Sequence, residues 1–301
     1  METRVLPFDD DAIAEGARLI LAGEPVAVPT ETVYGLAADA TNAEAVARIY
    51  EAKGRPSFNP LIVHVPDLSA AQVIGQFDDT ALTLAERHWP GPLTLVVPLR
   101  ENAGIASIVT AGLPTIGLRV PAHPAMQALL RAVCLPLAAP SANASGSISP
   151  TRADHVMKSL SDRIPLIIDG GATDRGLEST IVAATGGPPR LLRLGPLSIE
   201  AEVGSGAKIE APGQLASHYA PSKPLRLNAS SAAADEFLIG FGDVPGDVSL
   251  SSSSDLVEAA ARLFDLLHQA DSSNNSRIAV APVPNTGLGA AINDRLRRAA
   301  T

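Results

Sequence analysis

The stretch that decides the fold runs from Pro29 to His64 and reads PTETVYGLAADATNAEAVARIYEAKGRPSFNPLIVH. One apolar run, Val26 to Val28, leads into it, and a second, Leu61 to Val65, closes it; both predict short buried strands. Between them a helical pattern begins after Asn42, a residue suited to an N-cap, and stops at Gly54. A strand, a helix and a strand in this order indicate an α/β domain.

The same stretch gathers polar and cationic side chains. Lys53 and Arg55 stand at the end of the helical pattern, beside Pro56, which cannot continue a helix. Lys53 lies near the end of the apolar face of this helix, so its stem can pack while its ammonium reaches outward. Thr32 and Asn59 add a hydroxyl and an amide. Together they suit a ligand that carries phosphate and polar groups. Taken alone, the two cations are equally compatible with a solvated surface pair.

Working outward, apolar periodicity predicts alternating helices and strands on both sides of this stretch. Helices are predicted at 9–22, 79–88, 121–134 and 154–160, and strands at 93–99, 115–120, 136–140, 166–169, 179–184 and 190–194. The early alternation and later clustering of strands fit an α/β domain with a partly mixed sheet.

The composition shifts after Ser198, and three units are predicted. Residues 1–205 form the first, larger domain. Residues 206–224, rich in small residues, Gly and Pro, form a linker, and residues 225–301 form a small α/β, Rossmann-like domain. In the last unit, strands are predicted at 236–241 and 277–283, and the final helix at 288–299. The turn Gly287-Leu288-Gly289 lacks the third glycine of a dinucleotide motif and indicates a tight strand-to-helix turn.

Composition limits the function classes. The chain has 301 residues, is 46% hydrophobic and 18% charged, and carries a formal net charge of −9. These values indicate a folded two-domain protein and argue against a surface that binds polyanions throughout. Cys134 is the single cysteine, so no internal disulfide can form, and a reducing, cytoplasmic setting is expected. Neither a signal peptide nor a membrane span is predicted.

Several familiar catalytic motifs are missing from the sequence. It contains no GxxxxGK[ST] phosphate loop and no GxSxG elbow. The six histidines show no helical HxxxH spacing, which disfavours a histidine zinc site. A nucleotide site would therefore have to be built in another way.

Two further patterns predict parts of such a site. The segment beginning at Ser141 and Asn143 is rich in hydroxyls and could cradle phosphate or ribose, or could be an ordinary Ser-rich loop. Arg119 and Arg193 lie inside apolar strands, where a cation needs a cleft or a partner. Each could simply pair with an acid such as Glu31 or Glu178.

Taken together, these motifs resemble the YrdC-like family, specifically its two-domain threonylcarbamoyl-AMP synthases. The resemblance rests on PTETVYGL at 29–36, KGRPSFNPL at 53–61, HWPGPLTLV at 88–96, TIGLRVPAHP at 115–124, APSANASGSISPT at 139–151, ESTIV at 178–182, LLRLGP at 191–196 and HYAP at 218–221. Several separate motifs in the same order argue against chance similarity.

The resemblance implies an open, twisted, mixed sheet with flanking helices around a concave pocket. It also implies that residues 1–205 are the catalytic domain and that the linker at 206–224 contacts the active site. The implied reaction joins L-threonine, bicarbonate and ATP and releases pyrophosphate. The product would serve downstream tRNA threonylcarbamoyl-transfer proteins, and Mg²⁺ would accompany the ATP phosphates without a protein metal cage. By the same resemblance, Thr32, Asn59, His64, Arg119, Ala139 and Ser179 should contact threonine or its carbamate. Lys53, Arg55, Thr115, Ser141, Asn143, Ser149, Arg193 and Tyr219 should surround ATP, with Lys53 and Arg55 acting electrostatically and no side chain acting as a nucleophile.

Two other functions fit the same fold. One is a double-stranded RNA-binding or ribosome-associated module, which the acidic net charge disfavours. The other is carbamoyl transfer in metallocentre maturation, which the missing cysteine ligands disfavour. No strong direct binding of nucleic acid is therefore expected.

Overall fold

A computed structural model describes residues 2–56, 58–203, 210–212 and 218–301. The predicted boundary at residue 205 and much of the predicted linker lie outside these ranges, so the division into three units stays a prediction.

The helices are α1 Asp10–Leu21, α2 Ala43–Lys53, α3 Leu68–Ile74, α4 Asp79–His88, α5 Ser107–Thr110, α6 Pro124–Val133, α7 Ala153–Leu160, α8 Leu256–Ser272 and α9 Leu288–Ala299. The strands are β1 Arg4–Pro7, β2 Val26–Pro29, β3 Tyr34–Asp39, β4 Ile62–His64, β5 Leu93–Pro98, β6 Thr115–Arg119, β7 Leu137–Ala138, β8 Leu166–Asp169, β9 Thr180–Ala183, β10 Arg190–Arg193, β11 Glu202–Val203, β12 Leu225–Arg226, β13 Glu236–Gly240, β14 Val248–Ser249 and β15 Arg277–Val280.

A large mixed sheet organises the first domain. Within the described residues its strand order is β1-β8-β2-β3-β7-β4-β6-β5-β9-β10-β11. The sheet mixes parallel pairs such as β4 with β6 and antiparallel pairs such as β5 with β6. Helices cover it, and α1 and α6 pack together over one part of the sheet. The predicted mixed α/β architecture is therefore confirmed.

Helix α2, which carries Lys53 into the site region, begins and ends where the sequence predicts. The side chain of Asn42 accepts hydrogen bonds from the backbone N–H groups of Glu44 and Ala45. At the other end Gly54 adopts a left-handed conformation, with φ of 59°, which a glycine accepts at little cost. Local capping chemistry thus fixes where the chain leaves the helix and turns toward Arg55.

The observed strands differ from the predicted ones at several places, and two of the differences have a clear local cause. The segment Tyr34–Asp39 is strand β3, which pairs antiparallel with β2, although no strand is predicted there. Its sequence, YGLAAD, has small residues in place of the β-branched residues that mark a strand, and tertiary pairing overrides that weak propensity. The strand predicted at 136–140 contains only Leu137–Ala138, because prolines flank it on both sides.

The C-terminal domain is a second, smaller α/β unit. Its described strands form an all-parallel sheet of order β12-β15-β13-β14, with α8 and α9 packed against each other. Gly287 and Gly289 stand at the start of α9; a Cβ on Gly289 would come within 1.9 Å of the carbonyl oxygen of Pro284. This close approach explains the glycine and agrees with the tight turn predicted there.

The two domains share one hydrophobic cluster. Val33, Ile148 and Leu177 of the first domain pack with Phe264 and other residues of the second, and Tyr219 of the linker joins them. The rings of Tyr219 and Phe264 lie 5.6 Å apart. The C-terminal domain is thus packed against the part of the first domain that contains Ile148 and Leu177.

None of the helices in the described ranges has the length and apolar character needed to cross a bilayer.

Candidate active site

A concave pocket lies where several strands of the large sheet end. About 490 Å³ of space in it and at its mouth, open solvent included, is not filled by protein atoms. Its lining residues are Thr32, Val33, Arg55, Ile62, His64, Arg119, Ala139, Pro140, Ser141, Glu178, Ser179, Arg193, Pro212, His218 and Tyr219. Pro212, His218 and Tyr219 of the predicted linker therefore border a pocket built mainly by the first domain.

Arg119 is held at the end of β6 by a buried network. Its Nη2 donates to Glu31 Oε1 at 2.7 Å, and its Nη1 donates to Thr32 Oγ1 at 3.0 Å. The second carboxylate oxygen of Glu31 accepts from the backbone N–H of Ala122. Burial alone raises the pKa of Glu31, but the charge and hydrogen bond of Arg119 outweigh it and leave that pKa lowered. The pairing of Arg119 with Glu31 that the sequence suggests is confirmed.

His64 lies beside Arg119 because β4 and β6 pair in parallel with these residues in register. Burial, together with the charge of Arg119, lowers the pKa of His64 to about 3. The imidazole is therefore neutral at physiological pH. Its Nδ1 is buried and has no hydrogen-bond partner among the described residues, so this atom is suited to a polar group of a ligand.

Arg55 and Arg193 differ from Arg119 in one decisive respect. Arg55 donates to the carbonyl oxygens of Asn59 and Pro60, and Arg193 donates to the carbonyl and hydroxyl oxygens of Ser179. Neither forms an ion pair with any carboxylate in the described ranges. Burial lowers the pKa of Arg55 to about 10, which still leaves it charged at neutral pH.

The pocket therefore has an excess of positive charge. Glu178, the carboxylate that lines it, is already paired with Arg295 at 2.9 Å, and Glu31, next to the lining residue Thr32, is paired with Arg119. The guanidinium groups of Arg55 and Arg193 remain without a counter-charge although both are more than nine-tenths buried. A buried charge without a partner is costly, so this arrangement favours an anionic ligand that supplies the missing charge.

The structure brings most of the predicted site residues to this pocket. Those that line it are Thr32, Arg55, His64, Arg119, Ala139, Ser141, Ser179, Arg193 and Tyr219. Thr115 lines a smaller neighbouring cavity, of which Ile62 and Pro212 form the shared wall. Asn59, Asn143 and Ser149 are buried behind the lining. Whether each residue contacts a ligand stays a prediction.

Lys53 is not where the sequence pattern places it. The prediction has its ammonium reaching outward, but Lys53 is 2% exposed and its Nζ donates to the carbonyl oxygens of Ser141 and Asn143 at 2.6 and 2.5 Å. Burial, and then the nearby charge of Arg55, lower its pKa well below the ordinary value. Lys53 thus supports the backbone of the Ser141–Asn143 segment and does not line the pocket.

Sequence reasoning misses Arg295 and assigns no pocket role to Glu178 or His218. Arg295 lies in α9, fully buried among apolar neighbours. A signal is present, because Arg295 follows Ile292 by three residues and precedes Leu296 and Ala299 on the same helical face. A cation on an apolar face needs a buried partner, and here the partner is in the other domain.

The lowered pKa values of two buried histidines predict that the protein loses stability in mild acid. Burial lowers the pKa of His64 and of His218 to about 3, whereas an unfolded histidine takes up its proton near pH 6.5. As the pH falls below about 6.5, only the unfolded state gains these protons, and each group reduces the free energy of unfolding by about 1.4 kcal/mol per pH unit. The lowered pKa values of Glu31 and Glu178 extend the loss below about pH 4.5.

Urea unfolding at a series of pH values between 8 and 4.5 tests this expectation. The slope of stability against pH should decrease in His218→Asn, which removes one of the buried imidazoles. A wild-type stability that is constant from pH 7 to pH 5 would contradict the neutral, buried state of both histidines.

Two family models match the chain. The Sua5/YciO/YrdC model, described as telomere recombination, matches residues 18–195. The model of the C-terminal domain of threonylcarbamoyl-AMP synthase matches residues 190–301. Among curated relatives, the threonylcarbamoyl-AMP synthase of Bacillus subtilis is 41% identical over 99% of this chain and 95% of its own. That of Pyrococcus abyssi is 38% identical over 94% of this chain and 92% of its own.

Solved structures support the same family assignment. The crystal structure of P. abyssi Sua5 in complex with L-threonine superposes with a TM-score of 0.90 at 35% identity and covers 100% of this chain and 98% of that one. E. coli YciO, at 23% identity and a TM-score of 0.59, covers 66% of this chain and 98% of its own, and supports the fold alone. The predicted YrdC-like fold with an added C-terminal domain is therefore confirmed.

Proposed function

The chain belongs to the Sua5/YrdC family of threonylcarbamoyl-AMP synthases, and on this premise we propose that it condenses L-threonine, bicarbonate and ATP. The products are threonylcarbamoyl-AMP and pyrophosphate, which makes the protein a nucleotidyltransferase. The observation that carries the proposal is the pair of buried guanidinium groups, Arg55 and Arg193, that line one pocket without a carboxylate partner among the described residues. A triphosphate is an anion of the right charge for such a pair.

The reaction has two covalent steps. The amine of threonine adds to bicarbonate, and water leaves as N-carboxy-threonine forms. One oxygen of the new carboxylate then bonds to the α-phosphorus of ATP, while the bond from that phosphorus to the bridging oxygen breaks and pyrophosphate leaves. No side chain has to act as a nucleophile, because the attacking oxygen belongs to the substrate.

The protein's task is electrostatic. The attacking carboxylate and the α-phosphate are both negative, so cations must offset their repulsion and hold the reacting atoms in line. Arg55 and Arg193 would bind the phosphates. Arg119, which Glu31 and Thr32 orient, would bind the threonine carboxylate.

Neutral hydrogen-bonding groups complete the threonine side of the site. The hydroxyl of Ser179 lies 2.7 Å from that of Thr94 and accepts from Arg193, so it is fixed in place. His64 would use its unpartnered Nδ1 toward the carbamate. Because His64 is neutral, it contributes a hydrogen bond and no charge.

Mg²⁺ would enter with ATP. The donors of the described pocket are mainly guanidinium groups and hydroxyls, which suit phosphate oxygens better than a bare divalent cation. A magnesium ion on the triphosphate would lower the charge of the leaving pyrophosphate. Downstream tRNA threonylcarbamoyl-transfer proteins would consume the product, and the cytoplasm is the compartment we propose.

Pyrophosphate release tests the proposal directly. Purified protein with ATP, L-threonine, bicarbonate and Mg²⁺ should release pyrophosphate, and omitting any one component should reduce the release to background. EDTA in excess should do the same. Threonine-independent release would contradict the proposal, and salt-sensitive binding of double-stranded RNA without any release would favour the RNA-binding alternative.

A further inference from the structure

We propose that Arg295, in the last helix of the C-terminal domain, is a positioning residue that keeps Arg193 free for ATP. It does so by engaging Glu178, the carboxylate that would otherwise pair with Arg193 inside the pocket. The inference rests on the proposed function, since it concerns the triphosphate half of that site. It also gives the C-terminal domain a defined part in the reaction.

Arg295 and Glu178 form a buried ion pair between the domains. Arg295 is fully buried, and its Nε donates to Glu178 Oε2 at 2.9 Å. Its Nη1 donates to Asp294 at 3.0 Å, and its guanidinium carbon lies 5.4 Å from the centre of the Tyr219 ring. The other oxygen of Glu178 accepts the hydroxyl hydrogen of Ser149 at 2.5 Å. Both oxygens of Glu178 are therefore engaged away from Arg193.

Arg193 is the competing partner. Glu178 and Arg193 line the same pocket, and Arg193 donates to the backbone and hydroxyl oxygens of Ser179, the residue next to Glu178. Burial would raise the pKa of Glu178, but the charges of Arg295 and Arg193, with the hydrogen bonds from Ser149 and Arg295, leave that pKa lowered. If Arg295 were removed, Arg193 would be left as the main cation for this carboxylate.

The consequence for ATP follows from charge. An Arg193–Glu178 pair would occupy the guanidinium that has no carboxylate partner in the present arrangement. It would also bring the carboxylate of Glu178 toward the triphosphate, where like charges repel. Arg119 would be less affected, because it has its own partner in Glu31. The defect should therefore concern ATP and spare threonine.

Steady-state kinetics of pyrophosphate release on the full-length protein test the inference. Arg295→Met should raise the KM for ATP roughly tenfold or more, the effect expected from losing a charge-assisted contact, and should change the KM for threonine by less than about threefold. In the Arg295→Met/Glu178→Gln double variant the competing carboxylate is gone. Its KM for ATP should therefore return toward the wild-type value.

The matched control is Arg262→Met, which removes an exposed ion pair with Glu258 in α8 and should leave both KM values unchanged. A double variant that is as defective as Arg295→Met, or worse, overturns the inference, because a purely structural role of Arg295 would not be relieved by Glu178→Gln. An equal rise in both KM values overturns it as well. If the wild type itself releases no pyrophosphate, the proposed function fails instead.

Arg295→Lys covers the case in which Arg295→Met does not fold. The lysine retains the charge that holds Glu178, so its KM for ATP should stay within about threefold of the wild type. A large ATP defect in the lysine variant that Glu178→Gln does not relieve would overturn the inference.

Discussion

Replacing Arg55 with alanine is expected to lower kcat/KM by about 2–4 kcal/mol of transition-state stabilisation, or roughly 30- to 1000-fold. Arg55 is a buried guanidinium in the pocket with no carboxylate partner in the described ranges, and it donates to the carbonyl oxygens of Asn59 and Pro60. Its charge is therefore available to the phosphates as the negative charge on the leaving group grows. The measurement is the steady-state rate of pyrophosphate release by a variant whose thermal unfolding remains cooperative.

A suitable control is Arg131→Ala, which removes an exposed arginine from α6 whose side chain contacts Gln127. It should keep wild-type kinetics and stability. Unchanged kinetics in a folded Arg55→Ala variant would show that Arg55 is not part of the active site. It would also contradict the proposal that the excess positive charge of the pocket binds the phosphates.

Arg119→Met is expected to destabilise the protein by about 3–5 kcal/mol, because it leaves the carboxylate of Glu31 buried without its partner. Without Arg119, burial raises the pKa of Glu31 above that of the unfolded chain. The variant should then regain stability relative to the wild type as the pH falls through this raised pKa and Glu31 takes up a proton. Urea unfolding at pH 7 and pH 5 measures both effects.

The double variant Arg119→Met/Glu31→Gln separates stability from binding. It should recover most of the lost stability, since no charge remains buried without a partner. It should still bind threonine more weakly by about 1.5–3 kcal/mol, the typical contribution of a hydrogen bond to a charged group. Arg48→Met, which breaks a partly exposed pair with Glu24, should cost no more than about 1 kcal/mol. Threonine affinity that recovers together with stability would exclude Arg119 from the substrate site.

Local chemistry accounts for what the sequence predicts well. Asn42 and Gly54 mark the ends of α2, and the apolar runs around Val26 and Leu61 mark strands, because caps and periodicity act over a few residues. Strand β3 is not predicted because its small residues have little β-propensity. Its pairing with β2 is a tertiary contact, which local sequence does not show.

Side-chain direction is harder to predict. Helix periodicity places Lys53 near the end of an apolar face, where a long side chain usually extends its charge into water. Two carbonyl oxygens from residues far along the chain hold its ammonium inside instead. Those acceptors belong to Ser141 and Asn143. Their position next to α2 is a tertiary contact that no local sequence pattern predicts.

Only the family resemblance predicts that the pocket residues meet in one site; residue spacing does not. Arg119 and Arg193 stand out as cations inside strands, but their meeting with Arg55 depends on the strand order of the sheet. Arg295 is the largest omission. Its partner Glu178 lies in the other domain, and only the packing of α9 against the first domain brings the two together.

Mass spectrometry of the reaction product tests the central claim most directly. The wild-type protein, supplied with ATP, L-threonine, Mg²⁺ and ¹³C-labelled bicarbonate, should form a threonine-containing adenylate that is one mass unit heavier than the product made from unlabelled bicarbonate. The label should lie in the carbamoyl carbon, and pyrophosphate should appear in equal amount. An adenylate of threonine without the labelled carbon, or ADP and phosphate in place of AMP ester and pyrophosphate, would contradict the account.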